Sequence, residues 1–158
     1  MVMIVFLLLV ALTGFALIGK AESSHQEDWK EYIEQICQER HLCPELVEAV
    51  IERESNWNPA AVNGDCVGLM QVDQLQHWTR MQQLGVVDLT DPYDNILVGV
   101  DFLEELFYQY EDAAAVLMYY NAGFSDKYGI LAYRRGEISD YAKEVLQRTE
   151  ELERMHGK

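Results

Sequence analysis

Apolar residues at helical spacing run through most of this chain, and they constrain its fold more than any other feature. Trp29, Ile33 and Ile36 recur at three- and four-residue intervals, which is typical of one buried helical face. Asp91, Asp112 and Ser139 stand where helices would begin, because such side chains cap free backbone N–H groups. The predicted helices are residues 26–40, 44–55, 73–83, 92–110, 113–122 and a last one that follows Ser139.

One turn-rich segment interrupts this helical pattern. Asn58-Pro59 and Asn63-Gly64-Asp65 are strong turn formers, so we expect a turn-rich insert or a small β-hairpin there. A chain of 158 residues with no internal repeat suits a single domain. The sequence therefore predicts a mainly α domain over residues 26–148 with one short insert, followed by a charged, fraying tail over residues 149–158.

The N-terminal segment differs in composition from the rest. No charged residue occurs from Val2 to Gly19, and Thr13 is the only polar side chain in that run. Such a segment suits a signal peptide or an N-terminal membrane anchor spanning residues 1–21. Both alternatives predict an exported protein, either secreted or attached to the membrane through residues 2–19 with its domain on the outer side.

Charge and metal-binding residue types exclude several functions. The formal net charge is −15, which disfavours binding to nucleic acid or to anionic lipid headgroups. The four histidines are scattered and expected at the surface, so no metal and no cofactor is predicted. Cys66 could form a disulfide with Cys37 or with Cys43, and the sequence does not choose between them.

One glutamate of the second predicted helix lies on the wrong face. On a helical projection of residues 44–55, Glu54 falls on the apolar stripe, whereas Glu45, Glu48 and Glu52 fall on the opposite, solvated side. Burial and the negative end of the helix dipole both disfavour the anion, so the pKa of Glu54 should be raised. A carboxyl kept neutral can protonate a leaving oxygen, as in glycoside cleavage. The alternative is a structural Glu54 at the edge of the core, bonded to Arg53 or to a tyrosine.

Three short motifs in order extend this hypothesis. They are Glu54-Ser55 with Asn58-Pro59, then Gly68-Leu69-Met70-Gln71, then Tyr120-Asn121-Ala122-Gly123. In these motifs the sequence resembles the lytic transglycosylase family, whose soluble lytic transglycosylase domain is related to goose-type lysozyme. The resemblance covers roughly residues 32–148 and implies a lysozyme-like fold.

The resemblance also implies an activity. A member of this family cleaves the β-1,4 bond between MurNAc and GlcNAc in peptidoglycan and leaves a 1,6-anhydroMurNAc end. Glu54 would be the single acid and base, because the N-acetyl group of the substrate supplies the second stabilising group. Peptidoglycan glycan strands are then the expected partner, with a secretion, conjugation or phage apparatus as the system that such a small enzyme could serve.

Seven further residues are expected at the substrate. Gly68 would let the backbone approach the sugar, and Gln71 would offer an amide. Met70 is either an apolar wall or core filling. Tyr141 is either a hydrogen-bond donor to Glu54 or simply packed. The full set of expected substrate-binding residues is Ser55, Gly68, Met70, Gln71, Tyr120, Asn121 and Tyr141.

Tyr120, Asn121 and Asp73 carry specific expectations. The Tyr120 hydroxyl would bond Glu54 or orient the N-acetyl group, unless Tyr120 is a core aromatic. Asn121 would shape the end of its helix before Gly123. Asp73 departs from the family pattern and is interpreted either as a helix N-cap or as a carboxylate that positions water. The second interpretation of Asp73 predicts a hydrolytic muramidase, and a third hypothesis is a non-catalytic wall-binding subunit.

Overall fold

The computed structural model describes residues 25–158, and over this range the chain is mainly helical. The three strands form one antiparallel sheet in the order β1-β2-β3, with Cys66 opposite Asp73. The mainly α fold with an inserted hairpin is thus confirmed, with a third short strand added. The elements are α1 (residues 25–40), α2 (Pro44–Ser55), β1 (Val62–Asn63), β2 (Cys66–Val67), β3 (Val72–Asp73), α3 (Trp78–Leu84), α4 (Pro92–Tyr110), α5 (Ala113–Ala122), α6 (Ile130–Tyr133) and α7 (Asp140–Met155).

The predicted signal peptide or anchor of residues 1–21 lies outside the described residues. Among the helices that are described, none is both long enough and apolar enough to cross a bilayer.

Side-chain caps fix the starts of the three longest later helices. The Asp91 carboxylate accepts hydrogen bonds from the backbone of Tyr93 and Asp94, and Pro92 occupies the first turn of α4. Asp112 caps α5, and Ser139 caps α7 through the backbone N–H of Ala142. Because each cap occurs at the residue expected from the sequence, these three helices begin where they were predicted to begin.

Helix α3 begins later than predicted. Asp73 accepts hydrogen bonds from the backbone N–H groups of Leu75 and Gln76 at 2.8 and 3.1 Å, so it caps an isolated turn. The helix itself starts at Trp78 with no side-chain cap. Helix α6 was not predicted, because four residues are too few to show a helical period.

The core lies between α2, α4, α5 and α7. Helix α2 packs along α7, and α5 packs on both α4 and α7. Val47 and Ile51 on α2 and Val145 on α7 are buried there, and each large aliphatic side chain stabilises the fold by about 1.5–3 kcal/mol. This packing fixes the last turn of α2, which carries Glu54, against the first turn of α7.

The C-terminal segment is ordered, in contrast to the prediction of a fraying tail. Helix α7 continues to Met155, and Leu152 is 2% exposed. After the helix, Lys158 donates a hydrogen bond from Nζ to Glu45 at 2.6 Å, and His156 contacts the same carboxylate oxygen at 3.0 Å. The end of the chain is therefore held to the start of α2 by charge as well as by apolar packing.

The prediction that Glu45 and Glu48 are solvated is wrong. Glu45 is only 1% exposed and Glu48 only 2%. The reason is that α1 and the end of the chain cover the face of α2 that the helical projection assigned to solvent. Burial opposes the ionisation of Glu45, but hydrogen bonds from Lys158 and His156 outweigh it and lower its pKa to about 2. Lys30 lies 2.9 Å from the Glu48 carboxylate. A single helix cannot reveal such coverage, since it comes from elements distant in sequence.

Candidate active site

A cavity of about 670 Å³ lies between the small sheet, α3, α4 and the end of α5. Polar groups of the strands and turns line one side, and aromatic rings of α4 and α5 line the other. A cleft with an aromatic wall and a few hydrogen-bonding groups suits an uncharged, hydroxyl-rich ligand. Its lining includes Gln71, Asp73, His77, Phe102, Tyr120 and Asn121.

Glu54 is half-buried in the last turn of α2. The helix ends directly after it because Asn56 takes the left-handed conformation, at φ 51°, a conformation that Asn tolerates well. The Tyr141 hydroxyl donates a 2.6 Å hydrogen bond to Oε1 of Glu54. Of the two alternatives for Tyr141, the structure therefore has the hydrogen bond to Glu54.

Burial dominates the electrostatics of Glu54. Desolvation raises the pKa of its carboxyl, while the Tyr141 hydrogen bond and the Arg53 cation lower it by less, so the net pKa lies above its ordinary value. This is the direction expected from the sequence. The carboxyl is thus biased towards the protonated form that a general acid needs.

Glu54 is not itself among the residues that line the cavity, but its charge acts on two residues that are. Burial, followed by the Glu54 charge, raises the pKa of Tyr120. The Glu54 charge also contributes, after burial and Asp73, to the raised pKa of Cys66. Tyr120 and Cys66 both line the cavity, so the Glu54 carboxyl is near the part of the cavity wall that these two residues form.

Gly68 makes room for a side chain of the protein. Its φ is +79°, and a Cβ on it would lie 2.2 Å from Nδ2 of Asn95. Asn95 is fully buried, accepts a hydrogen bond from the Met70 N–H at 2.8 Å and donates to the carbonyls of Val67 and Leu89. The need for glycine at position 68 thus comes both from its positive φ and from Asn95, a residue that the sequence did not point to.

Gln71 lines the cavity with its amide oriented by the backbone. Its Nε2 donates to the carbonyls of Ala61 and Gly68 at 3.1 and 3.0 Å. The carbonyl oxygen of the Gln71 side chain accepts no hydrogen bond from the described residues, so it is the end of the amide that can accept one from a ligand.

The Met70 side chain belongs to the core. It is fully buried and packs on Gly99, where an added Cβ would lie 2.5 Å from its sulfur. Its backbone carbonyl accepts a 2.8 Å hydrogen bond from the Tyr120 hydroxyl. Tyr120 therefore joins the third motif to the second and does not bond Glu54, although its ring lines the cavity.

Asn121 and Ser55 complete the predicted set. Asn121 is exposed at the end of α5 and lines the cavity, whereas the N–H of Gly123 closes that helix end by bonding to Tyr119 at 2.7 Å. The Ser55 hydroxyl donates to the Ile51 carbonyl one turn earlier, and Ser55 is not among the lining residues. Asn121 is thus placed for ligand contact, while Ser55 bonds within its own helix.

Asp73 serves a turn and faces the cavity at the same time. Desolvation opposes the ionisation of Asp73, but hydrogen bonds from the Gln76 backbone and side chain and from the Leu75 backbone together outweigh it and lower the pKa of Asp73. It is therefore an ionised carboxylate on the wall of the cavity. Capping the turn and positioning a water are both compatible with this placement.

His77 and Phe102 were missed as cavity residues. Their ring centroids lie 4.5 Å apart, and the Phe102 ring is 5.4 Å from that of Tyr120. Burial, and then the Arg80 cation, lower the pKa of His77, which is half-buried and lines the cavity, so its expected surface position is wrong. Phe102 fits the buried stripe of α4, and the sequence offered no sign that it reaches a cavity.

One group of side chains in the described part of the chain has metal-ligand chemistry. Ligand atoms of Cys43, Glu45 and Glu153 lie within 4.8 Å of one another, at the opposite end of α2 from Glu54. Glu45 is already paired there with Lys158 and His156.

The three cysteines form no disulfide with one another. Cys37, Cys43 and Cys66 are all free thiols, and burial raises the pKa of Cys37 to about 12.

Comparisons with known proteins agree with the motif pattern. Residues 31–141, more than two thirds of the chain, match the family described as "Transglycosylase SLT domain". The chain is 36% identical to the "Transglycosylase" of Enterobacteria phage PRD1, over 60% of this chain and 35% of that protein. It is 29% identical to "Invasion protein IagB" of Salmonella typhi, over 70% of each chain.

A solved structure shows the same fold. The 70 kDa soluble lytic transglycosylase SLT70 of Escherichia coli superposes with a TM-score of 0.68 at 20% identity, over 81% of this chain and 24% of that one. This chain therefore spans about a third of the phage relative and about a quarter of the bacterial enzyme. The lysozyme-like helical fold expected from the sequence is confirmed.

Proposed function

The chain belongs to the transglycosylase SLT domain family, and on that basis we propose that it cleaves the glycan strands of peptidoglycan as a lytic transglycosylase. Glu54 is the single acid and base in this proposal. The observation that carries it is a half-buried carboxyl, held by Tyr141 at 2.6 Å, beside an aromatic-walled cavity of about 670 Å³.

In the first step Glu54 acts as an acid. Its pKa is raised by burial, so the resting carboxyl is biased towards the protonated form. Because Oε1 accepts the hydrogen bond from Tyr141, the proton to be donated is carried on Oε2. It passes to the oxygen between MurNAc and GlcNAc, the bond from that oxygen to MurNAc C1 breaks, and GlcNAc leaves with a new hydroxyl.

In the second step Glu54 acts as a base. The N-acetyl carbonyl oxygen of MurNAc stabilises the positive charge at C1, so no second carboxylate is required. The C6 hydroxyl then attacks C1, and its proton returns to the Glu54 carboxylate. The product carries a 1,6-anhydro ring and no water is consumed. Tyr141 stabilises the carboxylate between the two steps, because charge-assisted hydrogen bonds are stronger than neutral ones.

The substrate contacts follow from the cavity lining. In this proposal the Gln71 carbonyl oxygen and the Asn121 amide bond sugar hydroxyls or acetamido groups, and Phe102 and Tyr120 offer ring faces to the sugar; their position on the cavity lining supports these roles. Gly68 and Met70 act indirectly, since they build the turn that holds Gln71. Ser55 supports the end of α2 through its hydrogen bond to Ile51.

A Glu54→Gln variant tests this assignment. We expect solubilisation of purified peptidoglycan sacculi to fall by roughly 10²–10⁴-fold, the range for loss of a general acid or base. Glu150→Gln is the matched control, because Glu150 lies on α7 with its side chain 70% exposed. If the wild-type protein is inert on sacculi and Glu54→Gln keeps its full biological effect, the third hypothesis of a non-catalytic wall-binding subunit replaces this one.

A hydrolytic muramidase is the second candidate function. The observation that favours it is Asp73, an ionised carboxylate on the wall of the cavity that Glu54 adjoins. As a base, Asp73 would activate a water to attack C1, and the product would be an ordinary reducing end. Asp73→Asn then abolishes activity in a hydrolase, whereas it leaves a transglycosylase active.

We also propose that the domain acts outside the cytoplasm. The uncharged segment from Val2 to Gly19 supports export as a secreted or membrane-attached protein. Two relatives are named as a phage transglycosylase and as an invasion protein. These names support a role for this chain in a phage, secretion or conjugation apparatus. Fractionation of expressing cells, with and without residues 2–19, tests this location: wild type should be found in the envelope or medium, and the truncated form in the cytoplasm.

A further inference from the structure

Arg53 lies next to the acid in sequence and contacts the tyrosine that holds it. Its guanidinium carbon is 5.5 Å from the centroid of the Tyr141 ring. Its Nε donates a 2.9 Å hydrogen bond to Glu144, one turn after Tyr141 on α7. The Arg53 side chain thus crosses from α2 to α7 and is held at two points, over the ring and at the carboxylate.

We propose that Arg53 is a positioning residue for the acid/base step, and that its guanidinium, held over the Tyr141 ring by Glu144, strengthens the hydroxyl that bonds Glu54. This inference rests on the proposed function for the role of Glu54. The contacts from Glu144 through Arg53 and Tyr141 to Glu54 are all between described side chains.

The physical basis is polarisation of the phenol. A cation over the face of an aromatic ring is attracted to its electron density and draws that density away from the hydroxyl. The hydroxyl then donates a stronger hydrogen bond, which favours the ionised form of the carboxyl that accepts it. Arg53 therefore limits how far burial raises the Glu54 pKa, and this helps the same carboxyl to become a base in the second step.

The other groups that face Glu54 cannot take this role, because they are uncharged. Tyr141 approaches from α7, Tyr120 from α5 and Cys66 from β2. Burial is the main cause that raises the pKa of all three, so they stay uncharged in the working range. Arg53 is the one cation among the described groups that shift the Glu54 pKa.

Solvent and Glu144 both weaken the direct field of Arg53 at Glu54. The Arg53 side chain is 49% exposed, so solvent screens its direct field at Glu54. The Glu144 charge at 2.9 Å cancels much of the remainder. The contact with the Tyr141 ring is local and does not depend on the field at longer range.

The test measures the Glu54 pKa directly by carbon NMR titration of its side-chain carboxyl in the full chain. Arg53→Gln should raise this pKa by roughly 0.3–0.7 units, the equivalent of an exposed cation–π contact. In a Tyr141→Phe background, which keeps the ring but lacks the hydroxyl, the same substitution should produce less than half of that shift.

Arg148→Gln is the matched control. Arg148 also joins α7 to α2, through Glu52 at 2.6 Å, and the substitution removes the same charge. It should leave the Glu54 pKa unchanged. An equal shift from Arg148→Gln, an equal shift from Arg53→Gln in both backgrounds, or no shift at all would each overturn the proposal.

The pH profile of sacculus cleavage separates this inference from the proposed function. In Arg53→Gln the alkaline limb should move to higher pH by the same amount as the NMR pKa. A shift in the NMR pKa without a shift in the profile supports the action of Arg53 on Glu54 and contradicts the acid role of Glu54. A shift in the profile without one in the NMR pKa contradicts the inference.

Discussion

Substituting Asn95 by alanine should destabilise the protein more than any exposed substitution. The Asn95 side chain is fully buried and bonds three backbone groups, the Met70 N–H and the carbonyls of Val67 and Leu89. Gly68 packs directly against it. Its removal takes away the partner of all three groups and leaves space beside the glycine.

The magnitude follows from those three groups. Each buried polar group left without a partner costs about 1–3 kcal/mol, so for three groups the free energy of unfolding should fall by roughly 3–9 kcal/mol. This is a large part of the ~5–15 kcal/mol typical of a domain. Because the Met70 N–H and the Val67 carbonyl flank the turn that orients Gln71, sacculus cleavage should also fall at temperatures where the variant stays folded.

Urea unfolding followed by circular dichroism measures this change. Asn63→Ala is the matched control, because Asn63 lies on the exposed strand β1 and should change stability by less than about 0.5 kcal/mol. If Asn95→Ala unfolds within about 1 kcal/mol of wild type, Asn95 does not hold the second motif.

Three other substitutions give separate checks. Tyr141→Phe removes the 2.6 Å hydrogen bond and should raise the Glu54 pKa by roughly one to two units in an NMR titration, and an unchanged pKa would contradict the role of Tyr141 in holding the acid. The Glu45 pKa is about 2 in the folded protein and ordinary when unfolded, so its contribution of roughly 2–3 kcal/mol is present above about pH 4.5 and is lost as the pH falls towards 2. Glu45→Gln should flatten that part of the stability profile in urea titrations at each pH, and a parallel profile would refute the assignment. Asp73→Asn should keep anhydro products in a muropeptide digest, and its complete inactivity would favour the muramidase.

Local signals in the sequence predicted most helix starts and the acid itself. Asp91, Asp112 and Ser139 each cap a helix as expected, because capping depends only on neighbouring backbone groups. Glu54 was identified because its position conflicts with the polarity of its own helical face. Its contact with Tyr141 was one of two alternatives, and the packing of α2 on α7 decided between them.

Distant contacts explain what the sequence missed. Asn95 looks like an ordinary polar residue of a helix until Gly68 and Met70 are brought against it. Glu45 appears solvated because its partners lie more than 100 residues later, at the end of the chain. His77 gave no local sign of a cavity, since Phe102, whose ring lies 4.5 Å from its own, belongs to α4.

The mass of the muropeptides that the wild-type protein releases from purified sacculi tests the central claim most directly. If Glu54 returns the proton of an internal C6 hydroxyl, the new MurNAc ends carry a 1,6-anhydro ring and are one water lighter than reducing ends. New ends that are all reducing would show that water is the attacking group, and would contradict transglycosylation with Glu54 as the single acid and base.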